Sequence, residues 1–196
     1  MWISGTAGFG KSVLAAYLTQ SLKKRFPDSP VTFFFCKGKD ELCEVHQVVR
    51  TILHQLSAHS SAISQQVIAI WDEDEDLADL YSNYRIYYEN LLLPVVQTFL
   101  ASSPKSIYVI IDGLNELPRH RLTESLSLIS AIQTVPYVRV VLTSQPTKTI
   151  NAAVQTACQL SLTINDNLDN VETFVKCSLN ETLAALFNEI GVDPIK

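Results

Sequence analysis

Gly5-Thr6-Ala7-Gly8-Phe9-Gly10-Lys11-Ser12 is the stretch on which the reading of this chain turns. It satisfies G-x-x-x-x-G-K-[ST], the spelling of a phosphate-binding loop. Upstream, Met1 to Ser4 is a short apolar run; downstream, Ser12 to Leu22 carries Val13, Leu14, Tyr17, Leu18 and Leu22 at helical spacing. Strand, loop and helix in that order is the context such a loop requires. Half of the chain's six glycines fall within its first ten residues, a concentration that favours a loop shaped for a ligand over a generic turn. Glycines let the backbone curl so that successive N–H groups point inward, and a helix starting near Lys11 adds its positive end. In that arrangement Lys11 neutralises β- and γ-phosphate oxygens and the Ser12 hydroxyl sits on Mg²⁺. The expected nucleotide-binding set is Gly5, Thr6, Ala7, Gly8, Phe9, Gly10, Lys11, Ser12 and Val13.

The rest of the chain alternates strands and helices. VTFFFC at 31–36 is a continuous β-prone run of the kind buried on both faces of a sheet. From 44 to 59, Val45, Val48, Val49, Ile52, Leu53 and Leu56 recur at three and four, an amphipathic helix, and a further helix is expected to about Ile70. The DEDED run at 72–76 lacks the glycine and spaced ligands of an EF-hand loop and reads as a solvated acidic loop. Residues 81–100 read as a helix that Pro94 kinks or splits. IYVII at 107–111 and VRVVLT at 138–143 are further buried-type strands, separated by a helix from Arg121 to Gln133. A short helix around 149–156, a strand near 159–164 and a last helix carrying Val171, Phe174, Val175, Leu179 and Leu183 complete the pattern. Strands separated by helices imply α/β architecture, a parallel sheet covered on both faces.

Composition narrows the function. The chain has 196 residues, 47% of them hydrophobic, and a formal net charge of −5, enough for one domain with a substantial core. Its apolar runs fall far short of the roughly 18 to 20 residues that span a bilayer, so no membrane partner is expected. An acidic balance with scattered Lys and Arg gives no footprint for nucleic acid. Cys36, Cys43, Cys158 and Cys177 form no C-x-x-C pair, and the first residues do not read as a secretory signal. Reduced thiols in a cytoplasmic setting fit best. The four histidines show no metal-ligand spacing, and the aromatic residues from Trp71 to Tyr88 read as packing.

A phosphate loop needs a carboxylate for its metal. Asp112, at the carboxyl end of the 107–111 strand, is the best candidate, since open α/β sheets bind ligands at strand ends. Mg²⁺ would thus be served by Ser12 and Asp112, the metal against Ser12 being held through a water hydrogen-bonded to Asp112.

With these residues in view, the chain resembles the NACHT nucleotide-binding module of STAND-class P-loop NTPases, in the form found in fungal NOD-like proteins and nephrocystin-like N-terminal domains. WISGTAGFGKSVLAAYL, DGLNE at 112–116 and VVLTSQP at 140–146 carry the resemblance, which runs over about residues 2–185. It implies a three-layer α/β/α P-loop NTPase with a five-stranded, mainly parallel sheet in the order 5-1-4-3-2. It also implies that residues 1–196 form a single NACHT-type domain, without the effector segment upstream or the winged-helix and repeat regions downstream that such proteins carry.

Two departures from the family pattern bear on chemistry. Where the family reads D-G-x-D-E, this chain has Asn115 before Glu116; where it reads T-S-R-P, with the arginine sensing the γ-phosphate, this chain has Gln145. Asn115, Glu116 and Gln145 are therefore the candidate catalytic positions, for orienting water and sensing the γ-phosphate. An amide cannot take a proton, and a positioned base contributes about 10² to 10⁴ in rate. The resulting expectation is a Mg²⁺-dependent ATP- or GTP-binding switch with slow or impaired hydrolysis, a nucleoside triphosphatase at most. Self-association, or pairing with full-length STAND proteins, is the expected protein partnership. One rival is a catalytically inert scaffold or decoy for a full-length relative. A more distant one is a small-molecule P-loop kinase, which would need an arginine-rich lid that the widely spread arginines do not supply.

Overall fold

The computed structural model describes residues 1–36, 45–73, 85, 88–102, 105–155 and 159–163. In chain order these form β1 (Trp2–Ser4), α1 (Lys11–Arg25), β2 (Val31–Phe35), α2 (Val45–Ser57), α3 (Ser61–Glu73), a π-helical turn (Tyr88–Leu92), α4 (Leu93–Ser102), β3 (Ile107–Asp112), a 3₁₀ turn (Leu114–Glu116), α5 (Arg119–Gln133), β4 (Val138–Ser144), α6 (Lys148–Ala153) and β5 (Gln159–Ser161). The strands make one five-stranded parallel sheet, ordered β2-β3-β4-β1-β5. Read from the other edge this is 5-1-4-3-2, the P-loop NTPase order that the resemblance implies, with β4 between the phosphate-loop strand and the strand ending in Asp112.

The period-two geometry of strands divides the apolar residues between the faces. Ile107, Val109 and Ile111 of β3, Val138, Val140 and Leu142 of β4 and Trp2 of β1 join the larger core, with α2, α4 and α5. Ile110, Val141 and Ile3 point the other way, against Ala15, Leu14, Leu18 and Leu22 of α1. Each fully buried large side chain contributes about 1.5–3 kcal/mol, so both faces must be covered for three-residue β1 to persist. None of the helices in the described residues is long and apolar enough to cross a membrane.

Two local expectations change in the structure and a third is met. The 31–36 run is an edge strand, and its burial falls from Val31 and Thr32, which are buried, to Phe35, which is 36% exposed. Burial on both faces is therefore confined to its first half. In its described part the helix read over 81–100 changes character where Pro94 is expected to kink or split it: the π-helical turn ends at Leu92 and Pro94 is the second residue of α4. Proline has no N–H to give to the helical ladder, and a position in the first turn is where that loss costs least. Conversely α1 runs three residues past Leu22, with Lys23, Lys24 and Arg25 in its last turn, where cations complement the helix dipole. The last helix, the acids at 74–76, Tyr81, Tyr84, Tyr87 and the cysteines at 43, 158 and 177 lie outside the described residues.

On the outer edge of β2, the Gln55 side chain of α2 accepts from the Phe33 N–H at 2.9 Å and donates to the Phe33 carbonyl at 2.9 Å. Buried polar backbone groups left without partners are costly. Gln55→Leu keeps the volume and removes both bonds, so it should lower the unfolding free energy by about 1–3 kcal/mol in urea titrations. A second prediction concerns pH. Burial, and then the charge of Arg50 one turn along α2, hold His46 below the usual histidine range. A histidine depressed in the folded chain binds fewer protons there than in the unfolded chain. Its contribution is therefore complete above the unfolded value of about 6.5 and is lost as pH falls toward the folded one. Stability should decline on acidification through that window, and His46→Gln should flatten the decline.

Candidate functional site

The carboxyl ends of β1, β3 and β4 lie side by side, and each hands a loop to the same end of the sheet. β1 leads into Gly5–Gly10. A side chain on Gly5 would sit 3.1 Å from the Leu162 carbonyl, so the loop's departure needs the bare backbone there. Gly8 and Gly10 take left-handed φ of 82° and 78°. Gly10 is also the N-cap of α1, with no side-chain cap and no acidic residue in the first turn. The helix therefore presents open N–H groups and the positive end of its dipole to the loop's concave side. Lys11 folds back so that its Nζ donates to the Thr6 carbonyl at 2.8 Å, while Ser12 and Val13 are exposed.

From β3, Asp112 is 5% exposed, and its carboxylate accepts a hydrogen bond from the Thr143 hydroxyl at the end of β4. The same Thr143 oxygen accepts from the Gly113 N–H at 3.1 Å. Gly113 adopts φ 75° and opens the 3₁₀ turn that carries Asn115 and Glu116. Asn115 Oδ1 accepts from the Gln145 N–H at 2.7 Å, so the two positions that depart from the family pattern touch one another. Glu116 is exposed.

These loops enclose a cavity of about 360 Å³ lined by Ala7, Gly8, Gly10, Lys11, Ser12, Val13, Asp112, Gly113, Asn115, Glu116 and Gln145. That is within the usual size of small-molecule sites. Ten candidate residues from the sequence therefore meet in one place. Gly5, Thr6 and Phe9 are not among its lining: Gly5 packs under Leu162, Thr6 supplies the carbonyl that holds Lys11, and Phe9 is half-buried. A larger cavity of about 540 Å³ lies where β1 and β4 begin, around Met1, Val138, Arg139 and Val140, but among the described residues it gathers no carboxylate. The smaller one has the donor set for a phosphate and a hard cation: an ammonium, a helix N-terminus, one hydroxyl and one buried carboxylate. Oxygen donors of this kind fit Mg²⁺.

Sequence reasoning missed Thr143. A signal was present: β4 alternates faces, so Thr143 shares the side of Val141, which packs toward α1 and hence toward the glycine-rich loop. Cys36 was likewise read as the end of a strand and a reduced thiol, not as a neighbour of the site. Its backbone N–H donates to the Asp112 carbonyl at 2.8 Å, and its own carbonyl lies 3.1 Å from where a Gly113 side chain would begin.

Residues 1–145 match the family described as Nephrocystin 3, N-terminal. Over 191 residues the chain is 24% identical to Vegetative incompatibility protein HET-E-1 of Podospora anserina, an alignment covering 95% of this chain and 14% of that protein. Among solved structures it is similar to PCH-2 of C. elegans, with a TM-score of 0.44 and 16% identity, over 83% of this chain and 35% of that one. The chain thus spans a small part of the length of both proteins. The family match and the fungal relative bear out the resemblance carried by the three motifs.

Gly113 offers a direct check on the site's construction. Gly113→Ala would place a β-carbon in left-handed backbone and 3.1 Å from the Cys36 carbonyl. Strain of this kind costs about 1–3 kcal/mol, so thermal unfolding should shift down by several degrees.

Proposed function

This chain belongs to the Nephrocystin 3, N-terminal family, and from that premise we propose that it is a Mg²⁺-dependent nucleotide-binding switch module of NACHT type. Its ligand is ATP or GTP, and its hydrolysis is slow or impaired. The observation that carries this reading is the single cavity in which the loop backbone, Lys11 and Ser12 face Asp112. Partnership with a second copy or with full-length relatives, and a cytoplasmic setting, accompany this reading.

The phosphates would be held by the N–H groups of residues 8–12 and by Lys11, which exchanges its bond to the Thr6 carbonyl for phosphate oxygens. Ser12 and Asp112 would serve Mg²⁺, which when bound neutralises charge on the β- and γ-phosphates. Val13, exposed at the start of α1, offers an apolar wall beside the phosphates.

Slow turnover has two supports. The Asn115 carbonyl oxygen accepts the Gln145 N–H, and an amide, unlike the carboxylate it replaces, takes no proton from water. Gln145 lines the cavity without positive charge, where an arginine would stabilise the transferring phosphate by about 10³ to 10⁵. Glu116 is then the one carboxylate of the DGLNE segment besides Asp112, and it stands at the exposed side.

Isothermal titration with Mg²⁺-ATP and Mg²⁺-GTP tests the binding claim. Wild type should bind at least one, and Lys11→Ala should weaken it about 10- to 100-fold, the value of a charge-assisted bond. Equal heats from both proteins would remove the phosphate-loop claim. Asn115→Asp with Gln145→Arg restores both family residues and retains the backbone bond, since a carboxylate accepts as well as a carbonyl. Phosphate release by that variant should rise about tenfold or more over wild type; an unchanged rate would leave impaired catalysis unexplained.

A further inference from the structure

Thr143 is fully buried, and its hydroxyl lies between two groups at the end of the neighbouring strand. It accepts from the Gly113 N–H and donates to Asp112 Oδ1. A hydroxyl has a single proton, and Gly113 can only donate, so the proton must go to the carboxylate. Asp112 is thereby an acceptor with one oxygen fixed, and its backbone carbonyl is held as well, by the Cys36 N–H. The second carboxyl oxygen remains available as an acceptor, and Asp112 lines the cavity together with Ser12.

We propose that Thr143 is the positioning residue for Asp112, and that its hydroxyl sets how strongly nucleotide binding depends on Mg²⁺. This rests on the nucleotide-binding reading above. Groups that orient a metal's carboxylate through a hydrogen bond are typically worth about 10- to 100-fold in metal affinity. Serine at 143 keeps the hydroxyl; valine keeps the shape and loses it. A purely structural Thr143, joining β3 to β4, would affect binding with and without the metal alike. The informative quantity is therefore the ratio of ATP affinity in Mg²⁺ to that in EDTA.

Titration of the 196-residue chain with ATP under both conditions gives that ratio. In Thr143→Val it should fall about tenfold or more while the EDTA affinity stays within about twofold, and Thr143→Ser should stay within about threefold of wild type. Should the valine variant not fold, Thr143→Ala against Thr143→Ser makes the same comparison without a methyl pressed on polar neighbours. A hydroxyl-free variant with the wild-type ratio overturns the inference and leaves nucleotide binding standing. A wild-type chain that binds neither ATP nor GTP overturns the proposed function, and the inference with it.

Discussion

The insertion of β4 between β1 and β3 is the constraint on which the molecule depends. β4 pairs with β1 through Leu142, Thr143 and Ser144 and with β3 through Val138 to Leu142. Two parallel registers fixed on one strand determine how far from Asp112 the glycine-rich loop leaves the sheet. β1 has only three residues and stays in place because β4 and β5 flank it and both its faces are buried. The Trp2 indole N–H reinforces this by donating to the Ser144 hydroxyl at 2.8 Å. A rigid sheet end then carries loops whose own geometry comes from left-handed glycines and cross-strand hydrogen bonds.

Much of this was legible in the residues. Buried parallel strands read as apolar runs, and IYVII and VRVVLT were located to within a residue or so of their observed ends. What separated VTFFFC from them was tertiary: the same composition serves a central strand and an edge strand, and only the strand order places it at the border. Strand order itself has no local signature, and came from the family resemblance. The candidate site was legible as a set of positions, because the G-x-x-x-x-G-K-[ST] motif is specified by spacing. The bonds among those positions were not, because they join residues about thirty apart, as Asn115 to Gln145 and Asp112 to Thr143 do.

The contact between Asn115 and Gln145 alters how the two departures from the family pattern are understood. As sequence changes they are independent losses of charge. In space they are neighbours, with the backbone of one fixing the side chain of the other. An amide or a carboxylate at 115 accepts that N–H equally well, so the strap between the β3 exit and the β4 exit tolerates either. The loop geometry is thus separable from the charge it carries, since either residue at 115 keeps the same backbone contact.

The carboxamide of Gln55 reproduces, with one side chain, what the backbone of a sixth strand would give to Phe33. At that residue the sheet has no vacant valence on its β2 side. Lateral growth there would first require an incoming chain to expel the glutamine, which disfavours runaway strand-to-strand stacking of copies.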